Sequence, residues 1–161
     1  SLMTSMMTSA SLDLRVNTLK CTRDQALSSL RKEDVPADPT PYATTGIRLR
    51  GKVFLSDTSA FKQGLVDIQD EGSQLIATVC GAAPGMQVLD YCAGAGGKTL
   101  ALAGMMGNKG RIVATDTESS RLEKSRLRFR RAGVHDIIEV RPLSDEKNNK
   151  KLKKSGKEEI T

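Results

Sequence analysis

Between Leu89 and Leu102 the chain reads LDYCAGAGGKTLAL: a short apolar strand ending in Asp90, a glycine-rich turn, and a Lys-Thr pair that opens a helical run. Few folds contain such a turn. Glycines lack a Cβ, so backbone N–H groups come close to a ligand, and the positive end of the following helix favours a group rich in oxygen. After the helix KTLALAGMMG come strand RIVATD, helix SSRLEKSRLRFRRAG and strand DIIEVRP. With QVLD in front, the order is βαβαβ with short connections, which predicts a parallel sheet with right-handed crossovers.

Three ligand classes fit a loop of this kind, and spacing separates them in part. A phosphate-binding Walker loop needs glycine, four residues, then Gly-Lys-Ser/Thr; counting back from Gly97-Lys98-Thr99, its first glycine falls on Cys92. A dinucleotide fingerprint GxGxxG fits Gly94 and Gly96 but meets Thr99 where its third glycine belongs. The pattern DxGxGxG, frequent in adenosylmethionine enzymes, matches at Asp90, Gly94 and Gly96 with Cys92 replacing the first glycine. Asp116 ends the next strand at the same edge, where a carboxylate accepts both hydroxyl protons of a ribose. NAD and adenosylmethionine share that ribose, so these residues indicate an adenosine-containing cofactor on a Rossmann-like half without distinguishing the two. A turn whose glycines serve only tight strand–helix packing is the alternative.

Other side chains around the loop have both a chemical and a plain reading. Cys92 occupies a turn where a helix amino terminus stabilises thiolate, yet the sequence places no histidine or other base beside it. Lys98 is a first-turn cation, which the helix dipole disfavours, so either an anionic neighbour or simple exposure is expected. His135 reads as surface. Arg121, Lys124, Arg128 and Arg131 fall on nearly one face of the helix after Asp116, expected as a solvated basic face or as an RNA-backbone contact.

A smaller unit precedes this half. In LDLRVNTLK, Leu14 and Val16 alternate with Asp13, Arg15 and Asn17, the pattern of a half-buried strand. Thr22 caps a helix with Ala26, Leu27 and Leu30 on one face, and Pro36, Pro39 and Pro41 forbid its continuation. The extended pieces GIRLRGKVFL and LVDIQ flank a polar turn, SDTSAFKQG, and then SQLIATVC predicts a helix with Leu75, Ile76 and Val79 on its apolar side. Residues 1–11 read as a disordered leader and 144–161 as a basic, solvated tail.

A formal net charge of +6 favours an acidic partner, nucleic acid first. With aromatics at 3% and no Trp, RNA binding would rest on charge rather than base stacking. Cys21, Cys80 and Cys92 form no CxxC pair, so neither a zinc site nor a disulfide is expected, and reduced thiols suit a cytoplasmic protein. No apolar stretch reaches membrane-spanning length, and the amino terminus lacks the pattern of a signal peptide.

The run QDEGSQLIATVCGAAPGMQVLDYCAGAGGKTLALA, followed by ATDTESSRLEKSRLRFRRAGV, resembles the Sun (Fmu) family of RNA cytosine-5 methyltransferases, in which a QDxxSQ helix precedes a D-x-C-A-x-x-G-G-K-T loop. The resemblance extends over residues 12–143 and implies S-adenosylmethionine, held by Cys92, Ala93, Gly94, Ala95, Gly96, Gly97 and Lys98 and by Asp116. Cys92 then lines the cofactor pocket, and Ala95 stands where proline is frequent, which loosens the turn without removing a contact group. The segment RVNTLK resembles part of the family's RNA-binding module, so the implied partner is RNA, ribosomal or transfer. The fold class is therefore α/β, a truncated Rossmann-like methyltransferase half at 70–143 preceded by a small α+β RNA-binding module at 12–69.

Methylation at carbon 5 of cytosine needs a thiolate on carbon 6, and the family's two catalytic cysteines follow the third strand. After Val140-Arg141-Pro142 comes neither a Pro-Cys loop nor another cysteine. No residue is assigned as catalytic or as a metal ligand, and the chain is expected to be the amino-terminal portion of such an enzyme, inactive alone. QVLD would be an unpaired edge prone to association. A non-catalytic RNA-binding fragment and an NAD-dependent Rossmann protein are the alternative readings.

Overall fold

The alternation of Leu12–Val16 becomes strand β1, one of the two inner strands of a four-stranded sheet whose members all run antiparallel to their neighbours. This computed structural model describes residues 11–143, so the expected leader apart from Ser11, and the expected tail, lie outside the described residues. Helix α1 (Arg23–Lys32), strands β2 (Ala37–Pro39) and β3 (Gly46–Leu49), helix α2 (Ser59–Lys62) and strand β4 (Val66–Ile68) complete the first unit. The strand order is β2-β3-β1-β4, with Leu14 opposite both Ile47 and Ile68. Thr22 and Gln25 cap α1 reciprocally, each side chain accepting from the other's backbone N–H. The helix lays Ala26, Leu27 and Leu30 on Leu14, Val16, Ile47 and Leu49.

Two segments of this unit differ from expectation. Ala37–Pro39 is a strand, which Pro39 permits because an outer strand needs fewer N–H donors. Within SDTSAFKQG, Thr58 Oγ1 accepts from Phe61 N and starts α2, which buries Ala60 in the core.

The second unit contains helix α3 (Glu71–Val79), β5 (Gln87–Asp90), α4 (Gly97–Met105), β6 (Arg111–Asp116), α5 (Ser119–Ala132) and β7 (Ile138–Pro142). Strands β5, β6 and β7 lie side by side and parallel, with Asp90 beside Ala114 and Ile112 beside Ile138, as the βαβαβ pattern predicts. Leu100, Ala103, Met106, Ile112, Leu122 and Phe129 form the core. β5 is at the edge of its sheet, with Leu89 and Tyr91 exposed. No helix among the described residues is long and apolar enough to cross a membrane.

The apolar side expected for α3 is a correction: Ile76 and Val79 are exposed, while Glu71, Gln74 and Ala77 face inward. Polar bonds decide the orientation. Glu71 Oε1 accepts from the N–H groups of Tyr42 and Ala43 at 2.6 and 2.8 Å, and Gln74 Nε2 donates to Leu14 O and Gln69 O at 3.1 and 2.9 Å.

The half-buried reading of β1 is corrected at Arg15 and Asn17, and the solvated reading of the basic face of α5 holds for the exposed Arg121 and Lys124 but not for Arg128 and Arg131, which turn toward the first unit. Arg15 and Asn17 are both only 6% exposed. Asn17 Nδ2 donates to Gly64 O and Ala132 O, and Lys20 Nζ reaches Gln63 O and Arg131 O. Arg128 Nε and Arg131 Nη2 each lie 3.0 Å from the Asp67 carboxylate at the sheet's other edge. Arg126, by contrast, meets only Glu123 on the same helix. Asp67→Ala would leave two arginines turned inward without their anion and is expected to destabilise the chain by about 3 kcal/mol in urea denaturation. Arg126→Ala is expected to cost no more than about 0.5 kcal/mol; equal effects of the two changes would remove Asp67 from its structural role.

Candidate functional site

The glycine-rich turn runs from the end of β5 into α4, and three attachments fix it in place. Asp90 Oδ2 accepts from Thr99 Oγ1 at 2.6 Å, tying the strand end to the first helical turn. A Walker loop would turn that hydroxyl toward a metal-bound phosphate; here Thr99 is fully buried. Ala93 N donates to Thr115 O at 2.8 Å, and Thr115 Oγ1 donates to Tyr91 O at 2.7 Å, so the loop lies against the end of β6.

Asp116 provides the third attachment. Its Oδ2 accepts from Gly94 N at 2.8 Å and its Oδ1 from Glu118 N at 2.9 Å. The N–H groups of Glu118 and Gly94 hold its carboxyl below the usual aspartate range against the opposing effect of burial, and Arg121 lowers it further. One N–H on each oxygen leaves a lone pair on each for another donor.

The loop residues singled out by the sequence divide into two groups. Gly94, Ala95 and Gly96 lie toward α5. At Gly96, with φ of +86°, a Cβ would come 2.6 Å from the Phe129 ring; at Gly94, with φ of +54°, it would come 3.0 Å from Arg121 Nη2. Ala95 O accepts from Arg128 Nη1 at 2.7 Å. Cys92, Ala93, Gly97 and Lys98 instead line a cavity of about 440 Å³, whose opposite wall is Asp13, Gln69, Asp70 and Ser73, with Arg128 at the junction. Asp116 is not on that wall, and its contact with the loop is through Gly94.

Sequence reasoning missed the far wall. Gln69 and Asp70 open the QDEGSQ run, the only local signal that could have marked them. Asp70 caps α3 by accepting from Ser73 N at 2.9 Å; the Ser73 hydroxyl and that N–H, with Lys98 nearby, hold its carboxyl below the ordinary value. His135 is exposed and lies 3.3 Å from Asp136, which matches its plain surface reading. Among the described residues, no three His, Cys, Asp or Glu side chains converge as a metal site would require.

Comparison with known proteins finds two family models along the chain. One, described as 16S rRNA methyltransferase RsmB/F, matches residues 77–156. The other, the ferredoxin-like domain of RsmF/B-like methyltransferases, matches residues 1–55. The probable ribosomal RNA small subunit methyltransferase B of Synechocystis sp. is 34% identical over 128 residues, covering 79% of this chain and 29% of the relative. Ribosomal RNA small subunit methyltransferase B of Pseudomonas syringae pv. tomato is 35% identical over 121 residues, covering 75% and 27%. The chain thus spans less than a third of the length of the curated relatives it matches. A solved methyltransferase homologue from Pyrococcus horikoshii has a TM-score of 0.75 at 31% identity, over 88% of this chain and 46% of the other.

The Asp116 clamp has a definite pH signature. With a carboxyl pKa depressed in the folded state, its stabilisation is complete above the ordinary aspartate value of about 4 and is lost as pH falls through the depressed value. Asp116→Asn, which puts an amide nitrogen against one of the two N–H donors, should lower Tm at pH 7, and the deficit should shrink below pH 4. A deficit that stayed constant from pH 7 to pH 3 would contradict this.

Proposed function

Since the chain belongs to the RsmB/F family of ribosomal RNA methyltransferases, we propose that it is the methyl-donor-holding portion of an RNA cytosine-5 methyltransferase. In this reading residues 70–143 form the cofactor half and residues 12–69 the RNA-binding module. The observation that carries it is Asp116, whose oxygens are each oriented by one backbone N–H and keep a lone pair for a ribose hydroxyl of S-adenosylmethionine. Cys92, Ala93, Gly97 and Lys98 wall the adjoining cavity, while Gly94, Ala95 and Gly96 contribute backbone, their other side being taken up by α5. When bound, the cofactor supplies an electrophilic methyl group on a sulfonium. The chain's own residues hold and orient it. The match to methyltransferase family models supports this donor over NAD.

The other component is the base. The family's description supports ribosomal over transfer RNA, and the net charge of +6 suits a phosphate backbone. None of the three cysteines is assigned as nucleophile. Cys21 is partly buried, which raises its pKa, and its Sγ faces Asn17 O and Leu65 O; Cys80 follows α3; Cys92 is on the donor side. The part of the relatives that this chain does not match would supply the thiolate and cover the exposed Leu89 and Tyr91 at the free β5 edge.

Titration calorimetry should show binding of S-adenosylmethionine or its demethylated product, with no comparable affinity for NAD or ATP; preference for either of the latter would sink the reading. Asp116→Ala should weaken that binding by about 10- to 100-fold. The 161-residue chain by itself, given labelled donor and unmodified ribosomal RNA, should form no 5-methylcytosine above a no-protein control. Product above that control would show that one of its own cysteines attacks the base.

A further inference from the structure

The side chain of Gln69, 7% exposed, lies between the two units with one end satisfied and the other not. Its Oε1 accepts from Arg15 Nε at 2.9 Å. That bond decides the orientation of the amide, because arginine only donates and an amide nitrogen does not accept. Arg15 is itself buried, which pushes its pKa down to about 10, so it keeps its proton and its need for an acceptor at neutral pH. The backbone of Gln69 is held too, N–H on Asp13 O and carbonyl under Gln74 Nε2. Nε2 therefore cannot turn to find a partner, and it has none among the described residues. A buried donor left in this state is costly to keep.

The unpartnered nitrogen faces Gly97. A Cβ there would lie 3.6 Å from Gln69 Nε2 and 3.9 Å from Arg128 Nη2, so glycine keeps a gap open on the cavity wall. The nine-residue helix α4 starts at that gap with no side-chain cap, leaving its first N–H groups for another acceptor. Lys98 adds a cation to the same wall. The wall's two carboxylates are already engaged, Asp13 by Arg48 and Asp70 by Ser73 N.

We propose that Gln69 is a direct ligand contact, its Nε2 holding an oxyanion, carboxylate or phosphate, over Gly97 at the amino terminus of α4. The identity of the ligand rests on the methyl-donor reading, under which the oxyanion is the carboxylate of the methionyl end; an RNA phosphate presents the same chemistry.

Gln69→Glu keeps an acceptor for Arg15, removes the donor and sets a negative charge against the oxyanion. Calorimetry on the full chain would compare S-adenosylhomocysteine, methylthioadenosine, which lacks the carboxylate, and a short RNA oligonucleotide. A loss of about 10- to 100-fold for S-adenosylhomocysteine with methylthioadenosine unchanged supports the proposal with the cofactor's carboxylate as occupant. The same loss for RNA alone supports it with a phosphate. Unchanged affinity for all three overturns it. Gly97→Ala, at an ordinary helical φ, provides a second variant: its methyl group fills the gap and should weaken the same ligand without lowering Tm, and retained affinity there also overturns the proposal. If the unchanged chain binds neither adenosine compound, the methyl-donor reading fails by itself, and inorganic phosphate decides. A rise in Tm with phosphate that disappears in Gln69→Glu supports the oxyanion contact, whereas an equal rise or none overturns it.

Discussion

Asp67 has one carboxylate and two arginines to satisfy, and the relation between the two units depends on how it does so. Arg128 and Arg131 each take one of its oxygens at 3.0 Å, and the buried Arg15 lies within their field. Three guanidinium groups near one carboxylate are tolerable only because each has further partners. Arg128 donates to Ala95 O and Ile68 O, Arg131 stacks over the Phe61 ring at 3.9 Å, and Arg15 donates to Gln69. Arg128 thus grips the glycine loop with one nitrogen and the neighbouring module with another. A single planar group bridges the two sides of the cavity, which lysine, a point charge on a flexible stem, could not do.

The sequence was most legible where a signal is local. The reciprocal cap at Thr22 and Gln25, the apolar stripe of α1 and the βαβαβ alternation all depend on residues within a few positions of one another, and the structure has each of them. Periodicity failed where polar residues were buried. Arg15 on β1, Asn17 just past its end, and Arg128 and Arg131 on α5 read as solvent-facing, and each finds a partner far away in sequence, Gln69 for Arg15, Ala132 O for Asn17 and Asp67 for the two α5 arginines. A pattern taken one segment at a time cannot show that a polar side chain has a buried partner elsewhere in the chain. The same blindness gave α3 an apolar inner side, when Glu71 and Gln74 turn it the other way to cap backbone groups far away in sequence.

The candidate site was half visible for a related reason. Spacing marks glycines, and it marked Cys92 through Lys98 and Asp116. It does not say which glycine serves a ligand and which serves a neighbouring ring, and Gly96 belongs against Phe129. The opposite wall carries no such signature. Gln69 comes to the loop through the antiparallel pairing of β4 with β1, a tertiary fact with no local trace beyond the run in which it stands.

The bonds that close the cavity join residues far apart in the chain: Asn17 to Ala132 spans 115 positions, and Arg131 to Asp67 spans 64. Contacts of that kind carry the largest loop-closure entropy and form after the local turns, the β2–β3 hairpin and the shorter-range parallel pairings of the second unit. The binding surface is therefore among the last features to exist as the protein folds and among the first lost as it opens. Any molecule held between the loop and Gln69 binds only the closed state, so by mass action it stabilises the joint in proportion to its occupancy. Docking of the two units and ligand affinity are in this way one coupled equilibrium: a substitution at Asp67 or Asn17, touching no ligand, would register as weaker binding wherever opening is already appreciable.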